Sequence, residues 1–139
     1  RLVREDELDI LLPACIDMFT EEVGVSPIHG ESMNVYRARI ADVIRSGRAL
    51  ARIEDGRVIF KAEIGAVSAQ ACQVQGVWID PHMRGLGMAA PGMAAVANYA
   101  QNHMAPAVSL YVNGYNTPAR RAYLRAGFTQ TDTFSSILF

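Results

Sequence analysis

From residue 74 the chain reads VQGVWIDPHMRGLGMA, and this stretch constrains the fold more than any other. An apolar run ends at Asp80-Pro81, a short loop carries Arg84, Gly85 and Gly87, and a long Ala/Met-rich segment follows. The run has the make-up of a strand and the segment that of a helix. A strand that enters a helix through a glycine loop leaves several backbone N–H groups without partners, which suits an anion.

The flanking patterns supply the other elements. Residues 1–4 read as a short strand, and Asp6 is placed to cap a helix to about Glu22 whose apolar stripe includes Leu8, Leu11, Leu12, Cys15, Met18 and Phe19. Pro13 lies inside that helix and should kink it or leave one carbonyl free. After a loop over residues 24–30, Met33, Tyr36, Ile40, Val43 and Ile44 mark a second amphipathic helix, stopped by Ser46-Gly47. The period then shortens to that of strands. Runs at 49–53 and 57–64 flank Glu54-Asp55-Gly56, a hairpin signal, and a strand follows at 72–79. A helix is expected from about Leu86 to His103, with Pro91 near its first turn, then a strand at 108–112, a short helix at 117–126 ended by Gly127, and returning strands over 128–138. This order makes a single mixed α/β domain over residues 1–139. Arg1 in place of a starting methionine suggests the C-terminal fragment of a longer chain.

Charge is divided along the chain. Residues 1–80 hold nine Lys/Arg and thirteen Asp/Glu, whereas residues 81–139 hold four Arg and a single acid, Asp132. An anionic ligand would prefer the second half and a cationic one the first. The overall charge of -1 gives no support for a nucleic-acid or membrane partner, and no membrane-length apolar run or signal peptide occurs. Cys15 and Cys72 sit in apolar surroundings with no His or Cys at metal spacing, so they read as buried free thiols of a reducing cytoplasm rather than a disulfide or metal site.

Three phosphate-binding readings compete for the loop. A P-loop needs a lysine and a hydroxyl after its last glycine, but Met88-Ala89 stand there. The dinucleotide pattern is met formally by Gly85, Gly87 and Ala90, yet the acid expected about 20 residues on falls in the acid-free stretch. The third reading takes Arg84-x-x-Gly87-x-Ala89 as the unit, which resembles a motif of the GCN5-related N-acetyltransferase (GNAT) family. A second motif lies in LYVNGYNTPARRAYLRAGF, residues 110–128, where Asn116, Ala119, Tyr123 and Gly127-Phe128 follow a strand at the family's spacing. With two motifs at the right separation, the resemblance covers nearly the whole chain, most closely over residues 74–128.

That resemblance implies a mostly antiparallel sheet splayed between the strands at 72–79 and 108–112, with helices on both faces. It implies acetyl-CoA as cosubstrate. The loop from Arg84 through Gly85, Leu86, Gly87 and Met88 to Ala89 would hold its pyrophosphate. Val77, Trp78 and Ile79 would face the pantetheine and acetyl group, mainly through backbone groups, and Asn116 would hydrogen-bond the pantetheine arm. Tyr123 would be the general acid that protonates the leaving thiolate while an amine attacks the thioester directly. Several relatives carry a glutamate on the 72–79 strand as general base; here Gln73 and Gln75 are its polar residues and cannot serve. Glu63, on the preceding strand, is the nearest acid in sequence, with an outward-facing strand residue as the alternative. Glu21, Glu22 and His29 border the expected acceptor pocket, and Arg120, Arg121 and Arg125 either meet the cofactor's 3′-phosphate or face solvent. The resemblance also allows a homodimer, and a non-catalytic acyl-CoA sensor stands as the alternative to an enzyme.

Overall fold

The computed structural model of the chain describes residues 1–24, 26, 33–112 and 116–130. His29 and the strands expected beyond residue 130 lie outside the described residues. A one-turn 3-10 segment, Glu5–Glu7, leads into α1 (Leu8–Val23), and α2 (Met33–Arg45) follows. Then come β1 (Ala49–Glu54), β2 (Arg57–Val67), β3 (Ala71–Ile79), α3 (Ala89–His103), β4 (Ala107–Leu110) and α4 (Thr117–Arg125). Among the described residues, no helix is long and apolar enough to cross a membrane.

The four strands form one sheet in the order β1-β2-β3-β4. The first three pair antiparallel, joined at the β1–β2 end by a two-residue turn with Asp55 and Gly56 at φ 50° and 73°. β4 pairs parallel to β3 after the α3 crossover, as a βαβ connection requires. The expected strand at residues 1–4 is present as a single antiparallel bridge, Leu2 to Leu50.

Each face of the sheet carries its own core. On one face, Leu11, Leu12, Cys15, Tyr36 and Ile44 from α1 and α2 pack on Ala49, Ala51, Val58 and Trp78. On the other, Met93, Val96 and Ala100 of α3 pack on Leu50, Phe60, Ala62, Ile64, Cys72 and Val74. Alternation along β2 sends Phe60, Ala62 and Ile64 to the α3 face and therefore Lys61 and Glu63 to the α1/α2 face. Both cysteines are buried free thiols, and burial pushes each thiol pKa up.

Several expected boundaries move. Asp6 falls in the 3-10 turn and caps nothing, because Glu7 takes the local hydrogen bonds, accepting from the Arg4 backbone N–H and the Arg1 guanidinium. α3 starts at Ala89 rather than Leu86, because positive φ at Gly85 and Gly87 keeps those residues out of the helix. β4 ends at Leu110, and Tyr111 and Val112, expected as strand, are exposed and irregular. Phe128 to Gln130 are also irregular where a strand was expected. α1 runs through Pro13 without a break.

Candidate active site

The sheet opens where β3 outlasts its partner. Pairing with β4 stops at Val74 and Leu110, while β3 continues five residues further, to Ile79. That open length also contains an irregularity on its other edge. β2 pairs Lys61 with Trp78 and Glu63 with Gln75, so three residues of β3 span what two of β2 span. Gly76 and Val77 therefore form a β-bulge with no register partner among the described residues. Gly76 sits at φ 60°, where a side chain would be strained.

Glu63 covers this bulge. A Cβ built on Gly76 would lie 3.1 Å from the Glu63 carboxyl carbon, and Gln75 Nε2 donates to Glu63 Oε1 at 3.2 Å. Glu63 is half-buried rather than outward in solvent, close enough to Cys15 and Tyr36 that its charge raises both of their pKa values. Burial of the Tyr36 phenol is the larger cause there and pushes it up to about 12. Tyr123 lies across the sheet. It is half-buried against the α3-face core, to which Val77, Ile79 and Leu110 also pack, and it meets Phe128 edge-on with ring centroids 6.4 Å apart. Desolvation raises its phenol pKa, which keeps it protonated through neutral pH.

Beyond β3 the chain turns through Asp80, which is 3% exposed and accepts from the His82 backbone N–H at 2.9 Å and from Arg57. Those bonds hold the Asp80 carboxyl below the ordinary carboxylate range, the His82 N–H being the largest cause. Arg84 then folds back on the strand end: Nε donates to the Ile79 carbonyl at 3.0 Å and Nη2 to Glu21 Oε2 at 2.9 Å. The same Glu21 oxygen accepts from Trp78 Nε1 at 2.8 Å. Arg84 thus fixes the loop to β3 and α1, and Trp78, expected to face the cofactor mainly through its backbone, anchors the end of α1 through its indole N–H. Arg84 is the main cause of the lowered Glu21 pKa.

Among the described residues, chain neighbours aside, no atom lies within 4 Å of a Cβ built on Gly85 or Gly87, so positive φ, and not crowding, calls for glycine there. Leu86 is exposed on the loop, and Met88 precedes the first turn of α3 with no side-chain cap on the helix. The N–H groups of Ala89 and Ala90 at the helix start remain available to an anion, whereas Pro91 supplies none. Asn116 is the N-cap of α4, its Oδ1 accepting from the Ala119 N–H at 3.4 Å, which leaves its Nδ2 as the group able to donate outward. Among the described residues no group of three or more His, Cys, Asp or Glu could hold a metal ion.

Neither the Glu21–Trp78–Arg84 cluster as a unit nor Lys61 is among the site residues expected from sequence. The cluster joins residues 57 and 63 positions apart, which no local pattern reveals. Lys61 did carry a signal, as a lone cation inside the apolar run VIFKAEIG.

A strand end splayed from a parallel neighbour, followed by a glycine loop and an uncapped helix start, is the architecture of a known family. The acetyltransferase (GNAT) family profile matches residues 18–128, and the chain belongs to that family, whose members are acetyl-CoA-dependent N-acetyltransferases. Among solved structures, the fold is similar to the aminoglycoside N-acetyltransferase AAC(6')-Iy bound to the bisubstrate analogue CoA-S-monomethyl-acetylneamine. That pair shares 17% identity and a TM-score of 0.76, over 100% of this chain and 95% of the other. A putative acetyltransferase from Agrobacterium tumefaciens also reaches 17% identity and a TM-score of 0.76, over 100% and 98% of the two chains. A predicted acetyltransferase from Clostridium acetobutylicum, solved with acetyl-CoA, gives 16% and 0.72 over 99% and 94%. No curated protein matches the chain by sequence.

Proposed function

We propose that the chain transfers the acetyl group of acetyl-CoA to a primary amine by direct attack, in the gap that opens between β3 and β4. The observation that carries this reading is the placement of Glu63 and Tyr123 on opposite faces of the sheet, on either side of the open part of β3. A thioester lying in the gap meets the unpaired bulge at Gly76–Val77, and the Val77 N–H is the donor toward its carbonyl oxygen. Glu63, on the α1/α2 face, takes the amine's proton directly or through water. The amine nitrogen adds to the carbonyl carbon, and the oxyanion is held by the backbone N–H. The C–S bond then breaks, and Tyr123 gives its phenolic proton to the departing thiolate.

The cofactor's phosphates rest on the loop from Arg84 to Ala89 and the start of α3, with the helix dipole favouring negative charge. Asn116 Nδ2 donates to the pantetheine arm. Charge supports the same division: α3, β4 and α4 come from the part of the chain with a single acid, and α1, α2 and β1–β3 from the acid-rich part. An anionic cofactor and a cationic amine are each drawn to their own side.

The test is thiol release from acetyl-CoA with a panel of primary amines, including amino acids, polyamines and aminoglycosides. Amine-dependent release of CoA is the expected result. Calorimetric binding of acetyl-CoA with no release on any amine would instead favour a non-catalytic acyl-CoA sensor, the reading that the glutamines on β3 keep open.

A further inference from the structure

Lys61 is the only lysine in the chain, and it is 2% exposed in the middle of β2. A buried ammonium is costly unless it is hydrogen-bonded. An unbranched apolar side chain of similar size, such as methionine, would fill most of the volume without that cost. Among the described residues the ammonium makes one hydrogen bond: Nζ donates to the carbonyl oxygen of Gly76 at 2.8 Å. That carbonyl belongs to the bulge, which has no register partner among the described residues.

The consequence follows from the planar trans peptide. Oxygen 76 and the N–H of Val77 belong to one plane and point in opposite directions, and the described chain has no cis bonds. Gly76, at φ 60°, has no side chain to fix which way this peptide faces. A cation at the oxygen end of the peptide does fix it, because a charge-assisted bond is roughly twice as strong as a neutral one. We propose that Lys61 is a positioning residue whose ammonium holds the Gly76–Val77 peptide so that the Val77 N–H faces the gap and the thioester carbonyl. This rests on the reading of the gap as the acyl-transfer site.

A single lysine makes the test direct, since lysine-selective 15N labelling yields one side-chain signal. In the unmodified protein, the Lys61 ammonium should exchange slowly with water and show a hydrogen-bond correlation to the Gly76 carbonyl carbon. In Lys61→Met, the Gly76 carbonyl and Val77 amide resonances should shift while free CoA binds as before. The preference for acetyl-CoA over CoA should be lost, and kcat should fall by roughly 10²-fold, the effect of losing one oxyanion donor, with amine KM unchanged. A freely exchanging ammonium in the unmodified protein overturns the proposal without any variant. So does a folded Lys61→Met protein with an unmoved Val77 amide or an intact acetyl-CoA preference. An unmodified protein that acetylates no amine would defeat the transfer reading alone, because the resonance shifts and the acetyl-CoA/CoA ratio still decide the role of Lys61.

Discussion

Tyr123, the proton donor of the proposed reaction, shows how burial sets a protonation state. Desolvation disfavours the phenolate, so the hydroxyl keeps its proton at neutral pH, as donation to a departing thiolate of similar basicity would require. Replacing Tyr123 with Phe keeps the ring and its edge contact with Phe128 while deleting the proton. Turnover should fall by roughly 10²-fold or more, the usual contribution of a positioned acid, with acetyl-CoA affinity preserved. Steady-state kinetics beside calorimetry would separate the two, and an unchanged kcat would remove Tyr123 from the chemistry. Glu7 makes a stability prediction of the opposite kind. The Arg1 guanidinium, followed by the Arg4 N–H, lowers its pKa from 4.5 to about 2 in the folded chain. A depressed carboxylate adds stability above its unfolded pKa and loses it as pH falls. Thermal denaturation should therefore show stability declining between pH 4.5 and about 2. Glu7→Gln should flatten that decline and cost on the order of 1–3 kcal/mol at neutral pH, the worth of hydrogen bonds to a charged group. An identical acid limb in the variant would exclude Glu7 as its source.

At the scale of elements, the junction between β3 and α3 is held from outside itself. Glu21 at the end of α1 receives both Trp78 of β3 and Arg84 of the glycine loop. The Arg84 and Glu21 side chains are 46% and 41% exposed, so solvent screens the pair and its share of global stability is under about 1 kcal/mol. Its effect is local. Glu21→Gln should leave the melting temperature nearly unchanged while amide exchange over residues 80–88 accelerates and acetyl-CoA binding weakens. Unchanged exchange in that loop would mean that the α1 contact does not order it. The junction itself was legible in sequence, because strand composition, two glycines and an Ala-rich run have local causes. The helix starts three residues later than the pattern predicts, since nothing local shows whether Leu86 to Met88 join the helix or remain in the loop. The clamp was not legible. Its partners meet only because α1 packs along the sheet, and a glutamate near a helix end otherwise reads as a solvated one.

For the whole molecule, the order of elements and the hairpin followed from periodicity and turn residues, and the structure keeps that order through α4. The opening of the sheet was implied by resemblance, not by pattern, for no residue in the 108–112 run announces that pairing will stop at Leu110. The bulge was likewise hidden, because a single glycine in a strand does not say which peptide it frees. What the assembled fold adds is a division of labour: an acid-rich side with α1 and α2, a basic side with α3 and α4, and an open strand between them. A concavity of about 440 Å³, lined by Phe60, Met88, Pro91, Gly92 and Tyr99 among others, lies between the sheet and α3. It offers a physical alternative for a large ligand. The structure of the protein with acetyl-CoA bound therefore tests the account most directly. It should place the thioester beside the Gly76–Val77 bulge, with the carbonyl oxygen on the Val77 N–H and the pyrophosphate on the loop from Arg84 to Ala89. A thioester seated in the concavity beside Phe60 and Tyr99, with the β3–β4 gap empty, would contradict it.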